Sequence, residues 1–572
     1  MALNIYDNSN LNESYAGVTT PLTYTFIRRV YRGVYIHFCH MMGVSENIIS
    51  ENEPLFSNMI EYLGGRVYYN IPNWYKFVSF LPGYQFNRKF FEQMLGVNKE
   101  YHYSPDPQLS RTQKYLFDFP KLIFRVLLIT CYFIFMKDLV KKFKDEFNGV
   151  YFKELSSINL TKLTNEQLKE LYIDVEKKLL RNWWIPIAND FAVMVSTGIL
   201  RKLLDRWLND KGDLFNILLS LGDRISIDPG GEILRLIDLI KSDKRWFNIF
   251  TRYSPPDIDR SLNESDCEIS SAFKKYIDRF GDRVPGELKL ESINFREDPT
   301  LFIKFLKAQL VTCIIKTYVP AKNNSNQEWN KRLNSIQKIL ISLSLKWSKI
   351  SINRREECRF DRGLVFGFAR RIFMTMGNIL QTEGKINNKE DIFYLTLDEL
   401  FSFSIVSSHE LIQKVTERKN QEKYWNKMEM PRRVETDLTA SEYNRYLLSA
   451  PENLKRKQSN NSNRFNIKGT VASKGVAGSI ITGPALVLKE FTVNKNFKDM
   501  ILVAPQTDPG WTMVFPSLRG VIVERGGLLS HAAIVAREYG IPCLIGVEDA
   551  TNTIKDGSII KLDVDKCYVS SN

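Results

Sequence analysis

The sequence predicts a multidomain fold, a mainly α-helical N-terminal domain followed by a C-terminal α/β domain. Three observations carry this. Up to about residue 420, large apolar and aromatic residues recur at helical spacing. A charged and polar stretch follows, with Pro431, Pro451 and the run from Lys455 to Asn463, and it can bury little apolar surface. Beyond it, short β-type runs alternate with glycine-rich turns around a single helix. The expected boundaries are 1–417 for the helical domain, 418–466 for a flexible linker and 467–572 for the α/β domain.

In the first domain, helices are expected over Phe302–Val319 and Ile336–Trp347. Over Gly363–Leu380, Leu364, Phe368, Ile372, Met376 and Leu380 recur every fourth residue and put one apolar stripe on a helix face. In the last domain the β-type runs are Ile480–Thr482, Ala485–Leu488, Met500–Ala504, Gly520–Val523, Cys543–Val547 and Ile559–Leu562. The helix among them covers about His531–Tyr539 and stops at Gly540, before Pro542.

The 572 residues suffice for several domains and large cores. A net charge of +14 suits an anionic partner such as a nucleotide or a phosphorylated substrate. No compact basic run or nucleic-acid module is present, so nucleic acid is not expected as a partner. The cysteines stand singly with no CxxC pair, which gives no support to a zinc ribbon or a redox dithiol and suits a reducing cytoplasm. The N-terminus lacks the layout of a signal peptide. The most membrane-like stretch, Val126–Met136, is too short to cross a bilayer and reads as a buried helix, so no membrane association is expected.

The chemistry concentrates in the run Glu524-Arg525-Gly526-Gly527-Leu528-Leu529-Ser530-His531 and the helix it opens. Gly526 and Gly527 can turn backbone N–H groups toward an anion with no Cβ in the way. Ser530 is a natural N-cap, and a helix N-terminus favours negative charge. A histidine placed there is disfavoured as a cation and stays neutral and nucleophilic; once phosphorylated, its new charge faces free N–H groups. A histidine that merely caps a helix would have the same local sequence.

A second candidate is Arg354-Arg355-Glu356-Glu357-Cys358-Arg359-Phe360-Asp361-Arg362. Arg355, Arg359 and Arg362 fall at i, i+4 and i+7, stacking guanidiniums on one helix face, an arrangement that an anion or carboxylate must compensate. Guanidinium forks suit phosphate oxygens; a solvated face with local glutamate pairing is the alternative. His37, Cys39 and His40 sit in what reads as a packed helix with no further ligand at metal spacing, so no metal site is assigned. His102 and His409 are lone histidines, His409 being a minor candidate for an acceptor-site base.

The stretch GGLLSHAAIVAREYGIPCLIGV resembles the phosphohistidine signature of phosphoenolpyruvate synthase, pyruvate phosphate dikinase and rifampicin phosphotransferase. The resemblance extends upstream through Ile501–Ala504 and Thr507–Thr512, and downstream to Ala550-Thr551 and Ile554–Gly557. It implies a swivelling phosphohistidine domain in which His531 carries a phosphoryl group, with Gly526, Gly527, Ser530, Thr507 and Asp508 binding phosphate. Two departures stand out: Glu524-Arg525 stand where dikinases usually have a threonine before the Gly-Gly pair, which looks more like the rifampicin phosphotransferase branch, and Asp563–Lys566 replace a usual Asp-Gly in what reads as an outer turn. More loosely, Asn12–Ser14, Gly17–Thr23, Gly65–Asn70 and Asp391–Leu400 are similar to the substrate-binding domain of rifampicin phosphotransferase. By that likeness Arg355, Glu356 and Arg359, with Arg362 beside them, meet the substrate; Arg359 stands where the family has lysine, keeping charge but not the option of a neutral amine.

The resemblance implies a dikinase-like phosphotransferase. The ATP-grasp module of self-charging relatives is not expected in this chain, nor is there a GxxxxGK[ST] loop. ATP and Mg²⁺ are therefore expected on a separate ATP-grasp partner, as in phenylphosphate synthase, and none on this chain alone. The acceptor is expected to be a small molecule in the helical domain. Pyruvate is not expected, since its barrel would follow the histidine domain. A condensing enzyme of prodigiosin type and a non-enzymatic phosphohistidine relay are the alternatives.

Overall fold

The computed structural model describes residues 3–80, 132, 135–210, 213–220, 229–310, 331–402, 407–449, 465–475, 478–527 and 530–571. Most of Val126–Met136, His102, the run from Lys455 to Asn463 and the end of Phe302–Val319 lie outside them. The chain divides into two compact units: Met1–Met194 with Leu288–Glu291 and Leu364–Arg456, and Val195–Glu287 with Ser292–Gly363 and Lys457–Asn572.

The first unit is helical around a small sheet that composition did not reveal. Strands β1 (Asn4–Asp7), β2 (Ile60–Leu63), β3 (Arg66–Asn70) and β4 (Arg433–Thr436) pair in the order β2-β3-β1-β4, antiparallel throughout. Gly64 and Gly65, both at positive φ, make the two-residue turn between β2 and β3. The helix Pro21–Met41 starts with proline at its first position, where the missing N–H costs nothing. Its Phe26 packs edge-on against Phe366 at 5.1 Å and lies 6.0 Å from Tyr172.

The linker expected over 418–466 is corrected for residues 418–449; residues 450–464 lie outside the described ones. Residues 418–427 continue the helix Ser408–Lys427, β4 pairs with β1, and the helix Ala440–Ser449 follows. Polarity misleads here because the charges are used: Arg418 donates to both carboxylate oxygens of Glu399, at 2.6 and 3.0 Å.

The second unit is built on an eight-stranded sheet. Its strands are β5 (Asn466–Lys468), β6 (Thr470–Ser473), β7 (Ile480–Val487), β8 (Ile501–Ala504), β9 (Gly520–Val523), β10 (Cys543–Ile545), β11 (Ile559–Asp563) and β12 (Tyr568–Ser571). The order is β5-β12-β11-β7-β8-β9-β10-β6, parallel from β7 to β10 and antiparallel outside. The expected runs Ile480–Thr482 and Ala485–Leu488 join into one strand across Gly483-Pro484, while β5, β6 and β12 escaped the sequence reading.

Strands β8 and β9 are buried at every position, as parallel strands covered on both faces are. Their side chains alternate between two cores. Ile501, Val503 and Ile522 join Ile560, Leu562 and Val569 on one face. Leu502, Ala504, Val521 and Val523 join Ile233, Leu236, Phe250, Phe273, Phe302 and Phe305 on the other.

That second core corrects the expected division at 417 and 467. Helical residues 195–287 and 292–363, assigned from sequence to the helical domain, share an apolar core with the α/β segment. A sheet buried on both faces requires a helical cover, but periodicity does not say which helices supply it.

The stripe over Gly363–Leu380 is borne out. It lies in the helix Ser335–Thr382, and Leu364, Phe368, Ile372, Met376 and Leu380 are all buried. Residues of this helix to Gly363 belong to the second unit and those from Leu364 to the first.

Candidate functional site

The helix His531–Glu538 begins where the loop after β9 turns back on the sheet. Gly526 sits at φ +117°, and a Cβ there would lie 2.7 Å from the Ser530 Oγ, so the turn requires glycine. Ser530 adopts the extended conformation of an N-cap, but its hydroxyl makes no capping bond. It is a buried donor with no partner among the described residues.

His531 is 1% exposed. Its Nδ1 lies 2.9 Å from the Thr507 Oγ1 and its Nε2 lies 3.0 Å from the Thr512 Oγ1. The ring of Phe515 meets it edge-on at 6.0 Å. Thr512 also donates to the Pro509 carbonyl at 2.8 Å. While it does so its oxygen accepts from Nε2–H, and Thr507 donates to Nδ1. The other neutral tautomer takes the Thr512 hydrogen away from Pro509. Either form leaves both ring nitrogens satisfied.

Charge around the ring keeps it neutral. Burial, opposed by the Glu356 carboxylate and aided by the guanidiniums of Arg283, Arg359 and Arg355, pushes the imidazole down to about 3. Glu356 is buried, which alone would raise its carboxyl; Arg359 and Arg355 outweigh burial and hold it at about 2. One oxygen of Glu356 accepts from Arg355 Nε and from Arg359 Nη1, each at 3.3 Å.

Arg283 completes the basic group. It pairs with Glu287 at 3.2 Å, donates to the Arg359 carbonyl at 3.4 Å and lies over the Phe360 ring at 5.7 Å. Glu287 is buried, which raises its carboxyl despite Arg283, Arg362 and Arg359.

Most of the expected site residues therefore converge. His531, Thr507, Ser530, Gly526, Arg355, Glu356 and Arg359 lie in one unit around the start of one helix. Gly527 accepts from the Ser530 N–H through its carbonyl at 2.9 Å, a turn-closing role. Arg362 acts on Glu287. Asp508 differs from the expectation of a phosphate ligand. Its two oxygens accept from the backbone N–H groups of Gly510, at 2.8 Å, and Gly286, at 3.0 Å, and its burial pushes the carboxyl up to about 7. So engaged, Asp508 pins the 508–510 turn to Gly286. Glu524 accepts from the N–H and hydroxyl of Thr551 at 2.8 and 2.6 Å, anchoring the histidine loop. Arg283 and Thr512 were missed. Thr512 stood inside the quoted motif, whereas Arg283 carried no sequence signal.

Elsewhere, the His37 Nδ1 lies 2.8 Å from the Gly33 carbonyl within its own helix, and the His40 Nε2 lies 3.5 Å from Glu46. Among the described residues no group of three metal-ligating side chains occurs.

This geometry defines a class: a buried neutral histidine at a helix start after a parallel strand, facing arginines. Residues 497–567 match the family model of the PEP-utilising enzyme mobile domain, and residues 187–357 match that of the rifampicin phosphotransferase fourth domain. Both matched segments fall within the second unit, apart from residues 187–194 and 288–291 of the fourth-domain match.

More particularly, the chain is similar to curated rifampicin phosphotransferases. The protein of Bacillus subtilis (strain 168) is 27% identical over 440 residues, covering 72% of this chain and 47% of that protein. That of Bacillus cereus is 26% identical over 404 residues, covering 67% and 44%. An uncharacterised phosphotransferase of Bacillus subtilis (strain 168) is 30% identical over 221 residues, covering 38% and 25%. The chain spans under half the length of these relatives.

The neutral ring has a consequence for stability. The His531 pKa is depressed in the folded state, so folding is favoured above the unfolded value near 6.5 and loses that advantage as pH falls toward about 3. Asp508, with its carboxyl pushed up to about 7, acts in the opposite direction over the same window, so the test is a difference: from about pH 7.5 to about pH 5 the urea midpoint of the wild type should fall relative to that of His531→Asn. Equal losses in both proteins would place the acid-sensitive group elsewhere.

Proposed function

We propose that this chain is a phosphotransferase component that carries a phosphoryl group on His531 and passes it to a small-molecule acceptor. One observation carries the reading. A neutral imidazole sits buried at a helix start, each ring nitrogen bonded to a threonine hydroxyl, within electrostatic reach of three guanidiniums. A neutral ring keeps a lone pair for attack on phosphorus.

In the first step a ring nitrogen forms an N–P bond as the phosphorus–oxygen bond of the donor breaks, and the donor oxygen leaves with the electron pair. In the second, an acceptor oxygen forms the new O–P bond while the N–P bond breaks and returns its pair to the ring. Arg355, Arg359 and Arg283 would balance the charge on the transferring group, which dominates phosphoryl transfer. The otherwise unpartnered Ser530 hydroxyl, beside the helix N-terminus, would serve a phosphoryl oxygen.

His531 is shut off from water in this arrangement, which suits transfer rather than charging. Charging then requires the α/β segment to part from the segments carrying Arg283 and Arg355. The donor is ATP with Mg²⁺ on a separate ATP-grasp protein, the cofactor arrangement that the family resemblance implies.

The experiment mixes the full chain with a candidate ATP-grasp protein and labelled ATP. Acid-labile, alkali-stable label on this chain is expected only when both the protein and ATP are present. Label acquired from ATP by the chain alone would remove the need for a partner, and no label with any ATP-grasp candidate would count against the carrier.

A further inference from the structure

The first unit contains a cavity of about 350 Å³, and none of the residues grouped around His531 line it. Its walls come from the start of the helix Pro21–Met41, the β2–β3 hairpin, the segment 394–396 and the helices Ser408–Lys427 and Ala440–Ser449. Helical spacing makes the last two contributions. Arg418, Gln421, Glu422 and Trp425 fall on one face of the first, and Ser441, Asn444, Arg445 and Leu448 on one face of the second.

These walls are held by bonds from side chains to backbone groups. Asn444 donates to the Tyr62 carbonyl at 2.7 Å and accepts from the Gly64 N–H at 2.8 Å, tying one helix to the hairpin. Arg66 donates to the carbonyls of Trp425 and Met428, at 3.4 and 2.9 Å, capping the end of the other.

Four aromatic side chains line the space. Tyr24 and Tyr62 stack at 4.9 Å, Trp425 stands edge-on to Tyr62 at 5.7 Å, and Tyr394 donates its hydroxyl to Glu422 at 2.5 Å. Much of the remaining polar lining is already committed. Arg418 is neutralised by its bidentate pair with Glu399, and Thr20 gives its hydroxyl to Glu291 at 2.9 Å. Both signs of charge lie near the ring hydroxyls: Lys419 stands 5.4 Å over the Tyr394 ring and Lys289 pairs with Glu291 at 3.7 Å, while Glu422 bonds the Tyr394 hydroxyl directly. Burial first, then the hydrogen bond to Glu422 and the charges of Glu422, Glu291 and Asp391, raise the Tyr394 hydroxyl. Burial, Glu291 and Glu422 raise that of Tyr62 against Arg418.

We infer that this cavity binds a small organic cation, an ammonium on a flat or apolar body, with its charge at Glu422 and its body against Tyr24, Tyr62 and Trp425. Aromatic faces attract a cation through the ring quadrupole, and a carboxylate beside them sets the sign of the ligand. The cavity is large enough for a single-ring compound. Arg445, exposed on the cavity lining with its charge acting on Glu442, offers a contact for any polar tail.

The test is calorimetric titration of the full chain with benzylammonium, benzyltrimethylammonium, benzyl alcohol and benzoate. The two cations are expected to bind at least about tenfold more tightly than the alcohol or the acid. Glu422→Gln, which can still accept from Tyr394, should remove that preference without changing thermal stability. Ser441→Trp, at an exposed position of the lining, should block binding of all four compounds. Equal binding of benzyl alcohol and benzylammonium, a preference that survives Glu422→Gln, or no cation binding in the millimolar range would each overturn the inference. None of these results bears on His531.

Discussion

With Arg359→Ala, His531 is expected to accept phosphate normally and to pass it on about 10²–10³ times more slowly, a barrier increase of about 2–4 kcal/mol. Arg359 shares one oxygen of Glu356 with Arg355, and its charge reaches the imidazole. When phosphate joins the ring, the anion becomes a second claimant on these guanidiniums, and the claim strengthens as charge shifts in transfer. Arg359→Lys keeps the charge but loses the fork, so it should retain part of the rate. The check is a two-stage assay: charge the protein, remove nucleotide, add acceptor and follow loss of label. A variant that fails at charging but transfers at the normal rate would place Arg359 in the encounter with the donor.

Glu356→Ala should be the most damaging substitution for folding. The side chains of Glu356 and Arg355 are each 8% exposed, and that of Arg359 is 23% exposed. Removing the carboxylate leaves two largely buried cations without their shared counter-charge, a change that costs about 3–5 kcal/mol. The lower end is expected, because the Glu287 carboxylate also interacts with Arg359. The acid response of the wild-type protein carries the same signature. A carboxyl held at about 2 contributes stability above its unfolded value near 4.5 and loses it as pH falls through 2. Glu356→Gln should lack that part of the acid transition. Urea unfolding of the three proteins gives both quantities, and a loss below about 1 kcal/mol for the alanine variant would mean that the arginines find other compensation.

How far the sequence foretold this site depends on where each residue lies. His531 could be placed from its neighbours, because Ser530 at the N-cap position and Gly540 after the last turn bound one short helix. The arginines at 355, 359 and 362 could be placed on one face because they belong to a single uninterrupted helix. Such inferences need only local periodicity. What brings Glu356 to His531 is the shared core of the sheet and the helices from 233 to 310, and no local pattern encodes that pairing. Arg283 and Glu287 sit in a short irregular connection, where spacing carries no information. Asp508 was misjudged for a different reason: a motif shows which residue is present, not whether its carboxylate points to a ligand or to backbone N–H groups. The polar stretch after residue 418 misled because composition does not distinguish solvated charges from paired ones.

The central claim is that His531 itself holds the phosphoryl group. Its most direct test is labelling of the wild-type chain and His531→Ala side by side with the same ATP-grasp protein, followed by mass spectrometry of the peptide containing residue 531 under alkaline conditions. The account predicts an acid-labile phosphate on His531 in the wild type, and no label in the variant although its circular dichroism and unfolding cooperativity are retained. Undiminished acid-labile label in a folded His531→Ala protein would contradict it.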